Sequence, residues 1–419
     1  MCMELSAKLL QLYRHLWTSY WCIPVAFLLL SVALAAATTG IDHVFKESIT
    51  PAAYYLRAVE PDTARVILST IAGSIIGVAG VVFSITMVAV SFASGNFGPR
   101  LIGNMMRDRG SQVSLGCFIG TFVFSLIALR FVRDGGDGVE AFTPYVSIAT
   151  SMGLALACMG VLIYFIHHVP ETINIELIVA KLGRALKSGI ESRFRVNYVD
   201  VKTPGIDGDW RDDADRKDAT EITLAEDGYI QALDVDRLDE IASLNSLYIE
   251  ILRRPGAFVT NCDPVCAVWH KEDFSRETEA RVQACFATGA SPTVNQNIEF
   301  VADQLVEIIA RALSPGVNDP YTAIACINWL KVGILHFAEH ETENDTFNRH
   351  QRVKSKPYMF KDFVTAIFES AIPYIAPNRQ VTRHTIDCLE AISEQLTDEA
   401  NRKAVAKIIS DLNNAADDR

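Results

Sequence analysis

Residues 66–94 read VILSTIAGSIIGVAGVVFSITMVAVSFAS, twenty-nine positions without a charge. At a rise of about 1.5 Å per residue a helix of this run reaches about 43 Å, longer than the roughly 20 residues that cross about 30 Å of hydrocarbon. A run this long and apolar places the chain in a bilayer. Its excess predicts either a tilted span or a helix that continues past the membrane through Asn96 on the cytoplasmic side.

Three further runs accompany it. Trp21–Thr39 is nineteen residues without a charge, Ser114–Val132 is interrupted only by Arg130, and Pro144–Ile166 is twenty-three uncharged residues. Four spans are therefore expected within residues 1–169. Ala35-Ala36-Ala37 resembles a small-residue cleavage site, but the apolar stretch before it exceeds the roughly 7–15 residues of a signal core, so the first span reads as an uncleaved anchor. Basic residues orient the set. Lys8, Arg14, Arg100, Arg107, Arg109, Lys181, Arg184, Lys187, Arg193 and Arg195 flank one side, ten against the five of Lys46, Arg57, Arg65, Arg130 and Arg133 on the other. Basic short loops stay in the cytosol, so both termini are expected there, in a bacterial inner membrane.

The charge balance divides the chain. Residues 1–169 hold 10 Lys/Arg and 9 Asp/Glu; subtraction from totals of 38 and 50 leaves 28 and 41 for residues 170–419, a net charge of −13 there. An acidic second half lacks the basic surface that releases counterions from phosphates, which excludes a nucleic-acid partner. The nine cysteines are scattered without a CxxC and read as reduced, buried thiols rather than a disulfide framework.

Within the spans, Gly73, Gly77, Gly80, Ser84 and Ser91 fall at offsets that share one helix face, and Gly116–Gly120 repeats the GxxxG spacing. Small residues on a stripe let another backbone approach closely. Two readings stand: helix packing, within or between protomers, or the lining of a narrow polar path in an oligomer, with Thr86 and Ser94 nearby. No Asp, Glu, Lys or Arg sits in mid-span, which argues against an ion-coupled transporter and leaves a pore lined by hydroxyls and carbonyls open. His167 and His168, at the end of the fourth span, read as interfacial anchors rather than pH sensors.

Beyond the spans, Glu171–Arg195 keeps a helical period, so residues 170–195 are expected to continue span four as a stalk. Residues 202–220 read as an acidic loop; Asp207, Asp209, Asp212 and Asp213 miss the ligand spacing of an EF-hand. A small α/β module follows, with strands near Tyr229–Leu233, Leu247–Leu252, Ala257–Thr260 and Val265–Trp269, a helix capped by Asp234, and a turn at Arg254-Pro255-Gly256. Cys262, Cys266 and His270 are four apart, but Pro264 breaks the helix that would align them and no fourth ligand is evident. His336 and His340 lack the HExxH order and read as surface residues. From Lys361 to Asn413 the pattern is helical, broken at Gln380–Thr382.

One segment carries a mechanism. Glu299–Leu313 is an amphipathic helix with Glu299, Asp303, Glu307 and Arg311 in a charged stripe. Ser314-Pro315-Gly316 then forces a turn, and Asn318-Asp319-Pro320 starts the next helix, with Asp319 as cap and Pro320 at its first position. Free N–H groups beside Arg311 attract an anion such as a phosphate or lipid headgroup, whereas Asp319 already caps those donors. Arg311, Ser314, Gly316, Asn318 and Asp319 are thus candidates either for a small anionic ligand or for a purely structural corner.

The thirteen residues from Arg311 to Ala323, RALSPGVNDPYTA, resemble the signature of an uncharacterised bacterial family of predicted membrane proteins, domain of unknown function twenty-two fifty-four. Gly228-Tyr229-Ile230-Gln231, the turn from Arg254 to Val259 and Asn96-Phe97-Gly98-Pro99-Arg100 are similar to other parts of that family. The resemblance implies four amino-terminal spans and a cytoplasmic domain, and brings no activity or catalytic residues. Where the family pattern has Arg-Thr and then Gln-Asp, this chain has Pro292-Thr293 and Gln296-Asn297.

The expected architecture is a multi-pass α-helical membrane domain of four spans, followed by a cytoplasmic α+β domain (196–419) with a helical C-terminal bundle. No residue is assigned to catalysis, a metal or a cofactor. The first expectation for function is an oligomeric channel with a cytoplasmic regulatory domain, with the lipid bilayer and further copies of the chain as partners. The alternative is a membrane-anchored sensor or scaffold without conduction. A membrane enzyme would need a nucleophile–base pair or metal site that the sequence does not reveal.

Overall fold

The long uncharged runs form helices, because in hydrocarbon every backbone polar group must be satisfied within its own segment. The structure, a computed structural model, describes residues 21–44, 60–98, 108–134, 142–194, 219–270, 274–293, 296–341, 352–356 and 358–417. The acidic residues at 207–213 and the basic residues at 8, 14, 46, 57, 100, 107 and 195 lie outside them. The chain divides into two compact units, Met1–Asn174 and Ile175–Arg419.

The first unit holds α1 (Cys22–Val44), α2 (Pro61–Phe97), α3 (Arg109–Phe131) and α4 (Tyr145–Thr172). Pro61 opens α2 at a position that needs no hydrogen bond, and Gly98, at φ 118°, closes it. At 37 residues α2 is about 55 Å long, well beyond the uncharged run at both ends. Successive helices run in opposite directions. Asp42, late in α1, bonds the start of α4; Arg65, early in α2, pairs with Asp134 after α3 at 2.7 Å; Asp108, before α3, meets His168 late in α4 at 2.8 Å. The interior holds two apolar clusters, Leu68, Phe124, Ala128 and Ile148 in one and Ile75, Ala79, Val82, Phe118 and Phe165 in the other, together with buried hydroxyls such as Ser125 and Ser151, 2.7 Å apart. The outside is apolar too: Leu156 is 75% and Val88 68% exposed, an arrangement that water penalises and lipid tails accept.

The expected unbroken stalk is interrupted. Helix α4 contains Pro170 and stops at Thr172, and α5 (Ile175–Phe194) begins after Ile173-Asn174. Proline lacks the N–H and crowds the preceding turn, so a helix that includes it is weakened there. Helix α5 belongs to the second unit. Its Gly183 receives the Trp329 ring, and Gly333 in turn receives Leu186.

In the second unit, β1 (Thr220–Ile222), β2 (Gly228–Leu233), α6 (Val235–Leu244), β3 (Tyr248–Ile251), β4 (Phe258–Val259), β5 (Cys266–Trp269), α7 (Arg276–Gln283) and β6 (Phe286–Gly289) follow in order. They precede α8 (Ile298–Ala312), α9 (Pro320–His340), β7 (Val353–Ser355), α10 (Phe360–Ile375), α11 (Arg379–Gln395) and α12 (Glu399–Asp417). One sheet has the order β1-β5-β3-β7 and the other β4-β2-β6, antiparallel except where β3 pairs parallel with β7. Ile222, Ile230, Leu238, Ile249, Val259 and Val268 close the sheet core. The expected break at Gln380–Thr382 falls earlier, at Ala376–Asn378, because Asn378 takes the cap of α11 and accepts from Val381 N.

Among the described residues, five helices are long and apolar enough to cross a membrane: α1 to α4 and, in the second unit, α9. The last has a different setting. Helices α5, α8, α10 and α11 pack around α9, burying Ala323, Cys326, Ile327, Leu330, Ile334 and Phe337, so its apolar face has partners within the second unit.

Candidate functional site

The small-residue stripe of α2 lies on the face away from the residues that α2 packs against α3 and α4. Gly73, Gly77, Gly80, Ser84 and Ser91 are all exposed, and a Cβ built on any of the three glycines would meet nothing within 4 Å. The packed face is the opposite one, with Ala72, Ile75, Ala79, Val82, Ala89 and Ala93 turned inward. Among the described residues, none packs against the three glycines of this stripe. Thr86 lies on the buried face and bonds the Val82 carbonyl oxygen at 2.9 Å. Ser84 donates to the Gly80 carbonyl oxygen at 2.8 Å, which leaves its oxygen lone pairs on the exposed side. The second GxxxG pair is filled: a Cβ at Gly116 would touch Phe27 at 3.0 Å, and one at Gly120 would lie 2.5 Å from Ser31 Oγ.

Polar contacts hold both ends of the bundle. Asp42 is 9% exposed, and its carboxylate accepts from Val146 N at 2.8 Å, Ser147 N at 3.1 Å and Ser147 Oγ at 2.8 Å. An anion from α1 thus caps the positive N-terminus of α4. At the other end Asp108 caps α3 through Ser111 N and bonds His168, whose ring stacks on Tyr164 at 5.1 Å. Burial opposes the Asp108 charge, yet the Ser111 N–H and His168 outweigh it and hold its carboxyl below the ordinary carboxylate range. A side chain at residue 110 would collide with His168 and Tyr164, so Gly110 makes room for this contact. His168 therefore joins two helices instead of serving as a bare interfacial anchor, while His167 stays exposed beside Glu171.

In the second unit the turn between α8 and α9 is closed by its own bonds. Ser314 Oγ donates to the Arg311 carbonyl oxygen at 2.6 Å, Asn318 N to that of Ser314 at 2.9 Å, and Asp319 N to that of Ala312 at 2.7 Å. Asn318 adopts the left-handed conformation, φ 48°, which asparagine tolerates better than most residues. Asp319 accepts from Tyr321 N and Thr322 N, both at 3.1 Å, and from Thr322 Oγ1. Arg311 lies 3.6 Å from Glu307. Gly316 faces open space. The candidate residues are thus brought together, and the first N–H donors of α9 are engaged by Asp319.

Residues 17–391 match the family described as "Predicted membrane protein (DUF2254)", which covers most of the chain. The chain belongs to the DUF2254 family. An uncharacterized protein of Mycobacterium bovis and one of Mycobacterium tuberculosis are each 32% identical to it over 288 residues, 64% of this chain and 51% of theirs. The chain thus spans about half the length of the curated relatives it matches. No solved structure matches it.

Around Pro292-Thr293 and Gln296-Asn297, uncharged side chains make structural bonds. Thr293 Oγ1 donates to the Gln231 carbonyl oxygen at 3.1 Å. Gln296 clamps Leu233 by both backbone groups, at 2.8 and 3.1 Å, as a neighbouring strand would. Asn297 caps α8 through Phe300 N.

The cysteine–histidine triplet is dispersed. Cys262 is exposed, Cys266 lies buried in β5, and His270 bonds Thr220 at 3.0 Å and stacks on Phe274. His336 and His340, expected at the surface, are partly buried against α5. The order H-x-x-E-H in His336-Phe337-Ala338-Glu339-His340 is the signal that a search for HExxH alone misses, since it also puts two imidazoles and a carboxylate on one helix face.

Proposed function

We propose that this DUF2254 chain is an oligomeric channel of the bacterial inner membrane. Helices α1 to α4 cross the bilayer with both termini in the cytosol, and the second unit regulates conduction. The observation that carries this reading is the outward-facing stripe of Gly73, Gly77, Gly80, Ser84 and Ser91 on α2. Lipid tails gain little from a glycine face, whereas a second helix gains close backbone contact there, and exposed serine hydroxyls and glycine carbonyls suit a narrow polar path. Residues Ile173-Asn174 are the direct covalent link between α4 and α5, a short coupling from the bundle to the second unit. A small anion held at the Arg311–Asp319 corner fits the regulatory part of this proposal only by displacing bonds that Asp319 already makes.

The same face closed tightly by a partner helix gives the alternative, an anchored sensor or scaffold without a path. Two measurements on the full chain in liposomes separate them. Disulfide crosslinking between Ser84→Cys chains reads whether the stripes meet, and ion flux under applied voltage reads whether a path exists. The channel predicts crosslinked oligomers and a flux that Gly77→Leu abolishes. Crosslinked oligomers with no flux at any voltage leave the scaffold, and flux unaltered by Gly77→Leu removes this stripe from the path.

A further inference from the structure

The end of α9 carries a cluster that neither the corner nor the membrane face uses. His336, Glu339 and His340 stand at i, i+3 and i+4, the spacing that gathers side chains on one helix face. One donor atom from each lies within 4.8 Å of the others. The His336 side chain is only 11% exposed, and its fully buried Nε2 faces the Glu191 carboxylate of α5 at 3.2 Å. The other ring nitrogen, Nδ1, is hydrogen-bonded to Glu339 Oε2 at 3.3 Å, so a metal ion taken up there displaces the proton of that bond. His340 turns Nδ1 toward the His336 carbonyl oxygen at 2.9 Å. A carbonyl only accepts, so the proton sits on Nδ1 and the lone pair of His340 is on Nε2. The two imidazole centroids are 4.3 Å apart.

We propose that His336 Nδ1, His340 Nε2 and the Glu339 carboxylate bind one divalent transition-metal ion of the zinc class, with water completing the coordination. Glu191, 3.2 Å from His336 Nε2 with no hydrogen bond formed between them, stands where an outer carboxylate receives the Nε2–H once Nδ1 holds a metal, the arrangement that fixes tautomer and ring orientation in histidine metal sites. Tetrahedral bonds of about 2.0–2.1 Å bring donors to about 3.3 Å from one another. His336 Nδ1 and Glu339 Oε2 already stand at that separation, 3.3 Å, and the three donors within 4.8 Å converge by side-chain adjustment on binding, with Glu339 71% exposed. Two imidazoles with a carboxylate suit zinc, cobalt or nickel; calcium and magnesium favour all-oxygen sets. The site sits at the C-terminal, negative end of α9, which favours a cation. Its scaffold is braced: Glu341, the next residue, accepts from Phe360 N and Asn401 Nδ2, both at 2.6 Å, tying the end of α9 to α10 and α12. A bound ion therefore links α5 to α9 through Glu191 and His336.

The test uses the full-length chain, purified with a histidine-free tag, stripped by a chelator and titrated with Zn²⁺. The expected result is one zinc per chain, with an X-ray absorption spectrum of two imidazoles and oxygen and no sulfur. His340→Gln and His336→Gln should weaken binding by about 100-fold or more and Glu191→Gln by about 10-fold. His384→Gln, a histidine bonded to Asn328 away from this cluster, should leave binding unchanged. Substoichiometric zinc, a sulfur shell in the spectrum, or binding that survives His340→Gln overturns the site. Should the variants misfold, the spectrum of the unaltered protein decides by itself.

Discussion

On α3, side chains from α1 already occupy the space a Cβ would need at Gly116 and Gly120, with Phe27 and Ser31 as the contacting residues. On α2, Gly73, Gly77 and Gly80 repeat the same kind of spacing and face nothing within 4 Å. One motif thus serves two outcomes in a single bundle. Small-residue spacing records that a backbone can be approached closely, and leaves open which element approaches it. The filled pair cements α1 to α3; the glycines of the open stripe meet none of the described residues.

The comparison breaks most directly on two matched substitutions. Gly120→Leu drives a branched side chain into Ser31 and the Phe27 backbone. It should destabilise the bundle by about 3 kcal/mol or more, at or beyond the upper end for overpacked cores, read by denaturation in mixed micelles. Measured on the chain dissociated into single copies, Gly77→Leu should leave that midpoint unshifted, because its Cβ meets open space there. Equal losses from both in the dissociated chain would mean that the α2 stripe is packed within the chain after all.

A smaller effect tests whether the ends of the bundle matter beside its glycine contacts. Asp42→Ala strips three hydrogen bonds from the start of α4 and should cost about 2–3 kcal/mol, the range for bonds to a charged group. A loss within error would assign the stability of the α1–α4 contact to apolar packing alone.

The smallest effect belongs to the opposite end. Asp108→Ala removes the cap of α3 and should cost about 1 kcal/mol. Because the folded carboxyl titrates below its unfolded value, its contribution is complete above the ordinary carboxylate range and disappears as pH falls through the lowered folded value. The difference between Asp108 and Asp108→Ala chains should therefore shrink on acidification. A difference that grows toward acid would reverse the assignment.

Much of this was legible in the linear chain, for local reasons. The uncharged runs become helices because no other open structure satisfies the backbone in hydrocarbon, and Asp319, Pro320 and Asp234 start their helices because caps act within one turn. The continuous stalk was misread because amphipathic period alone does not register the weakening at Pro170 and the stop at Ile173-Asn174. His336 and His340 looked like surface residues because their burial depends on Phe194 and Glu191, which are more than 140 positions away in the chain.

The sequence by itself determined membrane residence, the helical bundle, the α+β character of the second half, the corner at Ser314–Pro320 and membership of the family. All but the last follow from composition or from spacing within a few residues, and membership rests on the resemblance carried by Arg311–Ala323 and other segments. Only the tertiary structure decided which small-residue face is filled, how Asp42 and Asp108 lock the ends of the bundle, and that Glu191 stands against His336. Those are contacts between distant segments, and a chain's local propensities carry no information about which face of one helix another will cover.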